Sequence, residues 1–227
     1  MFNYAPSQNC DLIKLYVFNM NRFNLNDSRR NIYIPEIGSY IVLNNYIKQN
    51  VVLEDLIPFI EENNLSFSKI ISEDGSIIKN DQDYSNLDTV LNKFDSNYIK
   101  NIVNKMIRSS GAKKILKLDI SNCFSSIYTH YIPPILLGYE ESESQYKKSL
   151  LNKKTSEIYN RYSKLDKIIR RLNLNQTNGL LVGPILSKII AEGLLSRIDL
   201  ELKDKGLVFS RYMDDYEVYC MTITIMK

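Results

Sequence analysis

The sequence has no tryptophan, one histidine and only three cysteines. A lone histidine, His130, cannot build a histidine metal cluster, and no Ser-His-Asp spacing surrounds it. It reads as a turn residue ahead of Pro133-Pro134. Cys10, Cys123 and Cys220 are odd in number and far apart, with no CxxC pair. That pattern excludes a zinc site and points to reduced thiols in a cytoplasmic setting. No apolar run approaches the roughly 20 residues of a membrane span. Met1-Phe2-Asn3-Tyr4-Ala5 lacks the basic start and apolar core of a signal peptide. Charge of one sign is also scarce in excess: 29 Lys and Arg face 26 Asp and Glu, a net +3. A nucleic-acid contact would therefore have to be a local patch.

What remains is an ordinary globular composition, 44% hydrophobic and 24% charged over 227 residues, enough for one large domain or two small ones. The richness in Asn, Ile, Lys and Tyr has the look of an AT-rich coding bias and carries no functional inference.

Residues 208–219, Val-Phe-Ser-Arg-Tyr-Met-Asp-Asp-Tyr-Glu-Val-Tyr, organise the chain. Two β-prone aromatic runs flank adjacent carboxylates, which predicts a hairpin with Asp214 and Asp215 at or beside its turn. On a regular strand two neighbouring side chains diverge, so only near a turn could both approach one cation. Side by side, two like charges are costly without a cation or strong donors. Taken alone, the pair also reads as a solvated Asp-Asp turn.

Upstream, a short helix is expected over 10–20. A strand through Ile32 and Ile34 should end at Pro35, opened by Arg29 and Arg30, whose forked donors suit phosphate oxygens or simply an exposed surface. Helices are expected over 40–49 and over 51–62, the latter interrupted near Pro58. Asp74-Gly75 between apolar patches predicts a hairpin, 80–88 a loop, and 91–107 a helix ended by Gly111. Residues 112–120 read as an apolar strand closing on Asp119. A buried carboxylate there would need a partner, and a cation would supply one. A short helix should follow, capped by Ser121 or Asn122. Residues 138–152 read as a mobile surface excursion. A helix over 154–172 carries Ile158, Tyr162, Leu165, Ile168, Ile169 and Leu172 on one side. Its basic residues are a solvated face or a phosphate contact. Next comes a Gly-Pro loop, Asn178 to Ser187, entering a long helix over 185–202 with Pro184 at its start and Asp204-Lys205-Gly206 at its end. Ala191 and Gly193 leave room for a close neighbour.

An acid-bearing strand, a glycine loop with its helix and an Asp-Asp hairpin, in that order, resemble the palm of a reverse transcriptase. Lys117-Leu118-Asp119-Ile120-Ser121-Asn122-Cys123-Phe124 is similar to that family's first palm motif, Asn178 to Ser187 to the second, and Tyr212-Met213-Asp214-Asp215 to the third. Arg29-Arg30-Asn31-Ile32-Tyr33-Ile34-Pro35 resembles its triphosphate-binding finger segment. Within the family the chain looks most like bacterial abortive-infection and defence-associated enzymes.

The resemblance implies an α+β right-hand polymerase: fingers-like residues 1–110, then a palm over 111–227 with an antiparallel sheet and a helical excursion about 138–175. It implies RNA-directed DNA synthesis from dNTPs in antiphage defence, on an RNA template or along a DNA product. Asp119, Asp214 and Asp215 would hold two Mg²⁺ ions, or Mn²⁺, helped by the Ile120 carbonyl. Arg29 or Arg30 would bind the triphosphate, aided by Lys113 or Lys117. Phe124 would crowd a ribose 2′-hydroxyl, and Gly183 and Ser187 would shape the template-base pocket. Phe124 also reads as plain core, Lys117 as a solvated strand residue and Ser187 as an internal helix hydroxyl. Leu181 and Val182 depart from the family's usual Pro and Gln. Residues 221–227 do not resemble the primer grip and thumb that the family places next. The expectation is therefore a truncated or split enzyme, acting as a homo-oligomer or with a missing C-terminal partner chain. The alternative is a catalytically incomplete palm-like subunit that binds nucleic acid or assembles.

Overall fold

The computed structural model describes residues 15–21, 29–69 and 101–221. The chain is α+β, and the described residues form one two-stranded and one three-stranded antiparallel sheet. It forms two compact units: Met1–Leu56 with Asn122–Leu195, and Ile57–Ser121 with Ser196–Lys227. Each unit draws on residues from both sides of position 110. The expected hairpin around Asp74-Gly75, the loop over 80–88 and the first part of the 91–107 helix lie outside the described residues.

In the first unit, β1 (Tyr16–Asn21) pairs with β2 (Arg29–Ile34), from Tyr16↔Ile34 to Asn21↔Arg29. The helix expected over 10–20 is thus corrected to a strand over its described part. Tyr16, Val17 and Phe18 are β-prone, and β2 supplies the backbone partners that a local helix would have supplied. β2 stops before Pro35, as expected. Helix α1 (Ile37–Gln49) opens on Glu36, whose carboxylate accepts from the amides of Gly38 and Ser39. Bonds from the Ser39 hydroxyl and amide hold Glu36 below the usual carboxylate range. Helix α2 (Val52–Glu62), whose residues from Ile57 on belong to the second unit, continues through Pro58 and is not interrupted there. Burial of Val52, Leu56 and Ile60 outweighs the one backbone bond that proline removes.

Helix α4 (Cys123–Ser126) follows Asn122, which sits in the left-handed region at φ 50° and makes no side-chain cap. Asn tolerates that conformation, so the expected capping role is replaced by a turn role. A 3₁₀ turn (Thr129–Tyr131) leads into α5 (Ile132–Leu137), α6 (Tyr139–Leu150) and α7 (Glu157–Leu172). The surface excursion expected over 138–152 is therefore mostly ordered helix. Glu140 and Glu141 at its start and Lys147 and Lys148 in its last turn complement the helix dipole, and Glu143 pairs with Lys147. Polar composition concealed a helix held by charge order and by buried Gln145, which accepts from the Ser156 amide. Ser156 caps α7, whose Tyr162, Leu165, Ile168, Ile169 and Leu172 are buried as the spacing predicted. Ile158 is instead exposed, and Tyr159 takes the inward place. His130 lies in the 3₁₀ turn with Nδ1 2.8 Å from Oδ2 of buried Asp166.

Helix α8 (Ile185–Asp204) begins after Pro184 and ends at Gly206, which takes φ +83°. A Cβ on Gly193 would meet Leu56, so this glycine does serve a close neighbour.

In the second unit, residues 101–109 are helical (α3), and Gly111 at φ +79° follows. The sheet has the order β3-β5-β4: β3 (Lys114–Asp119), β4 (Phe209–Tyr212) and β5 (Asp215–Cys220). Leu65, Phe209 and Tyr216 form its core, with Ile120, Leu202 and Val218 against them. Strand β3 is exposed along its whole length, Asp119 included. The expectation of a carboxylate buried on an apolar strand is corrected accordingly. β3 lies at the sheet edge, and Ile115, Leu116 and Leu118 each remain about half exposed. Among the described residues no helix is long and apolar enough to cross a membrane.

Candidate carboxylate site

The Asp-Asp hairpin forms as its sequence predicts. β4 and β5 pair from Phe209↔Val218 to Tyr212↔Asp215, leaving Met213 and Asp214 as the turn. Met213 adopts φ 57°, unusual for a residue with a Cβ. Its amide accepts help from outside the hairpin, donating to the Ser68 hydroxyl at 2.8 Å.

On the other side of β5, Asp119 is the register partner of Asp215. Directly opposed residues project to the same face with Cβ atoms roughly 4.5–5.5 Å apart. The amide of Ile120 donates to the Asp214 carbonyl at 3.2 Å, closing the strand onto the turn. Asp119 and Asp215 are exposed and Asp214 is half-buried. Two like charges face each other here, an arrangement that costs energy unless a cation lies between them. The donors are all oxygen, which suits a hard divalent ion. The opposed pair therefore fits one such ion. Among the described residues no group of three His, Cys, Asp or Glu side chains converges on one point.

Alternation along the strands puts Lys117 and Glu217 on the same face as the Asp pair. Glu217 is bridged by Lys105 at 2.6 Å and by Lys117 at 3.6 Å. These residues, with Phe67, Ser210 and Tyr212, border a cavity of about 420 Å³ that reaches Asp119 and Asp215. Lys117 is thus a cross-strand partner of Glu217, with its head largely in solvent, and lies one step along the face from Asp119. Lys113 holds the far end of β3 through its amide, which donates to the Cys220 carbonyl. The side chain of Ile120 packs on the core of this unit.

The remaining predicted residues lie in the first unit. Arg29 and Arg30 occupy the start of β2, opposite Asn21 and Met20. The same strand meets the glycine loop: Tyr33 donates to the Val182 carbonyl at 2.8 Å, and a Cβ on Gly183 would stand 3.0 Å from Ile32 and 3.1 Å from the Tyr33 carbonyl. Strand β2 and the glycine loop are therefore in direct contact. Half-buried Phe124 joins the loop from the other side, its carbonyl accepting from Leu180 at 2.7 Å. Gly179 lies against Ser125, where a Cβ would come within 3.1 Å of backbone. Ser187 is buried in the first turn of α8.

Sequence reasoning missed the buried polar cluster behind the hairpin. Arg211, wholly buried, donates through Nε to Asp199 at 2.7 Å and through a terminal nitrogen to the Met213 carbonyl at 2.8 Å. Asp199 also accepts from Asn63 at 2.6 Å and Tyr216 at 2.8 Å. Burial pushes the Asp199 carboxyl up, while Arg211, Tyr216 and Asn63 pull it back in part. The available signal was a charge at position 211 inside a short β-prone strand, with an acid on the inward side of the preceding helix.

No protein-family model matches the chain, and no curated protein matches it.

Proposed function

We propose that the chain is a nucleotidyltransferase of the reverse-transcriptase type, adding dNTPs to a growing DNA strand. The observation that carries this reading is the register opposition of Asp119 and Asp215, with Asp214 in the adjoining turn. In this reading the three-stranded sheet and the glycine loop belong to a polymerase palm, and the β1–β2 ribbon is fingers-like. Divalent cations, Mg²⁺ or Mn²⁺, would activate the attacking hydroxyl and steady the leaving pyrophosphate. Asp119 and Asp215 would hold such an ion, with Asp214 beside them. Lys117, on the same sheet face, adds positive charge near incoming phosphates once it leaves Glu217. The contact of β2 with Gly183 keeps the Arg29-Arg30 strand and the template-base loop as one piece. A role in antiphage defence and RNA as template rest on the sequence resemblance, and a cytoplasmic setting rests on the scattered cysteines.

The test is incorporation of labelled dNTPs with Mg²⁺ by the wild type and by Asp214→Ala/Asp215→Ala, with and without an RNA template. Incorporation that disappears in the double variant is expected. A folded wild type that incorporates nothing under any template overturns independent catalysis by this chain.

A second reading is favoured by the exposure of β3. An edge strand with Ile115, Leu116 and Leu118 half in solvent invites pairing with another chain. The protein would then be a palm-like subunit completed by a second copy or by a partner chain. Sedimentation of the wild type against Leu116→Lys separates the readings. A monomer at all concentrations, unaltered by the substitution, removes self-assembly through this edge.

A further inference from the structure

We propose that Arg211, anchored by Asp199, is a positioning residue that fixes the Met213–Asp214 turn and so sets where Asp214 and Asp215 stand. The geometry of the turn is the starting point. Met213 is held at φ 57°, a conformation that an L-residue keeps only when its surroundings specify it. Both of its peptide groups are specified. The Ser68 hydroxyl accepts from its amide, and the Arg211 guanidinium donates to its carbonyl. The next carbonyl, that of Asp214, accepts from Ile120. Three bonds from three different segments thus converge on two residues.

The guanidinium can do this because it is itself fixed. Its Nε–H is spent on Asp199, a residue wholly buried on α8 and further bound by Asn63 and Tyr216. A planar fork held at one edge presents its other donors in a fixed direction. Residues 65–67 brace the same residue from its backbone side, with Arg211 donating to Leu65 and Phe67 donating to Arg211. A buried charge of this kind is seldom a net source of stability compared with an apolar replacement. Its value here is direction: it locks a strained turn from beneath while leaving the exposed face of the turn to the carboxylates. The consequence for a bound cation rests on the proposed polymerase reading, and the lock on the turn does not.

The experiment compares full-length wild type, Arg211→Lys and Ser68→Ala. Lysine keeps the charge beside Asp199 but lacks the second donor arm that reaches Met213. Amide hydrogen exchange across 213–215 should quicken by roughly tenfold or more in both variants, the loss expected for one such bond, with α7 amides unchanged. Mn²⁺ binding, followed by its EPR signal, should weaken in parallel. Unchanged exchange in a folded Arg211→Lys overturns the lock. Should that variant not fold, unchanged exchange in Ser68→Ala overturns it instead. Faster exchange with Mn²⁺ affinity equal to wild type overturns the positioning role. A wild type that binds no Mn²⁺ defeats the metal reading, while the exchange result still decides the lock.

Discussion

Gly193 lies so close to Leu56 that a Cβ on it would stand 2.7 Å from the Leu56 Cδ2 atom and 3.2 Å from its Cβ. Leu56 is itself buried to 1% exposure, so it has little room to withdraw. Gly193→Ala should therefore destabilise the first unit. Helix propensity gains about 1 kcal/mol from alanine, and overpacking costs about 1–3 kcal/mol. The net expectation is a lower melting temperature, read by circular dichroism. Gly193→Ala combined with Leu56→Ala should recover part of the loss, because the second change vacates the colliding atoms.

Gly183 has a second constraint besides space. At φ +124° its backbone conformation is one that L-residues rarely adopt. Gly183→Ala should strain the loop and push it off Ile32 and Tyr33. Exchange at the Tyr33 amide, which donates to Val182, should rise, and under the proposed polymerase reading dNTP incorporation should fall together with it.

Opposed carboxylates give a stability signature that does not require catalysis. In metal-free buffer Asp119→Asn or Asp215→Asn should raise stability by about 0.5 kcal/mol, since it removes a like-charge cross-strand pair. With Mg²⁺ present the order should reverse, because only the wild type gains binding energy in the folded state. Melting temperatures with and without the ion check both signs. An identical shift in each buffer would count against a cation at this pair.

Burial, reinforced by nearby Asp55, pushes the Tyr162 phenol from its ordinary value of 10.0 up to about 12. The folded state thus favours the protonated phenol. That preference is fully present below pH 10.0 and is lost as pH rises through about 12. Tyr46 and Tyr159 shift the same way through burial. Phenolate absorbance should therefore show a late group that appears with loss of helicity. Tyr162→Phe should move the alkaline unfolding midpoint upward and remove part of the late absorbance.

The parts legible in the sequence were those with local causes. Tyr212 to Asp215 announced a hairpin because β-prone residues flank two that are not. Pro35, Pro184, Gly111 and Gly206 marked boundaries through their own backbone limits. What escaped depended on distant partners. Tyr16, Val17 and Phe18 became a strand only because β2 lies alongside. Pro58 stayed inside a helix because buried neighbours hold both sides of it. The 138–152 stretch was polar enough to read as loose, yet its charges were ordered along a helix axis. Arg211 was hardest, since an arginine inside a strand looks solvated until Asp199 and the Met213 carbonyl come into view.

The exposure of β3 also bears on alignment. Burial ordinarily forbids a one-residue slip between paired strands, because slipping turns every inward side chain outward. β5 has that protection through buried Tyr216 and Tyr219, but β3 buries none of its six residues. Its alignment is left to the ladder itself and to the bonds that close its ends, Lys113 to Cys220 and Ile120 to Asp214. A slip of one position would turn Asp119 away from Asp215 while costing β3 only the partial burial of Ile115, Leu116 and Leu118, each already about half exposed. The weakest-specified pairing in the second unit is thus the one that sets the two carboxylates face to face, and whatever covers or grips β3 also governs whether they meet.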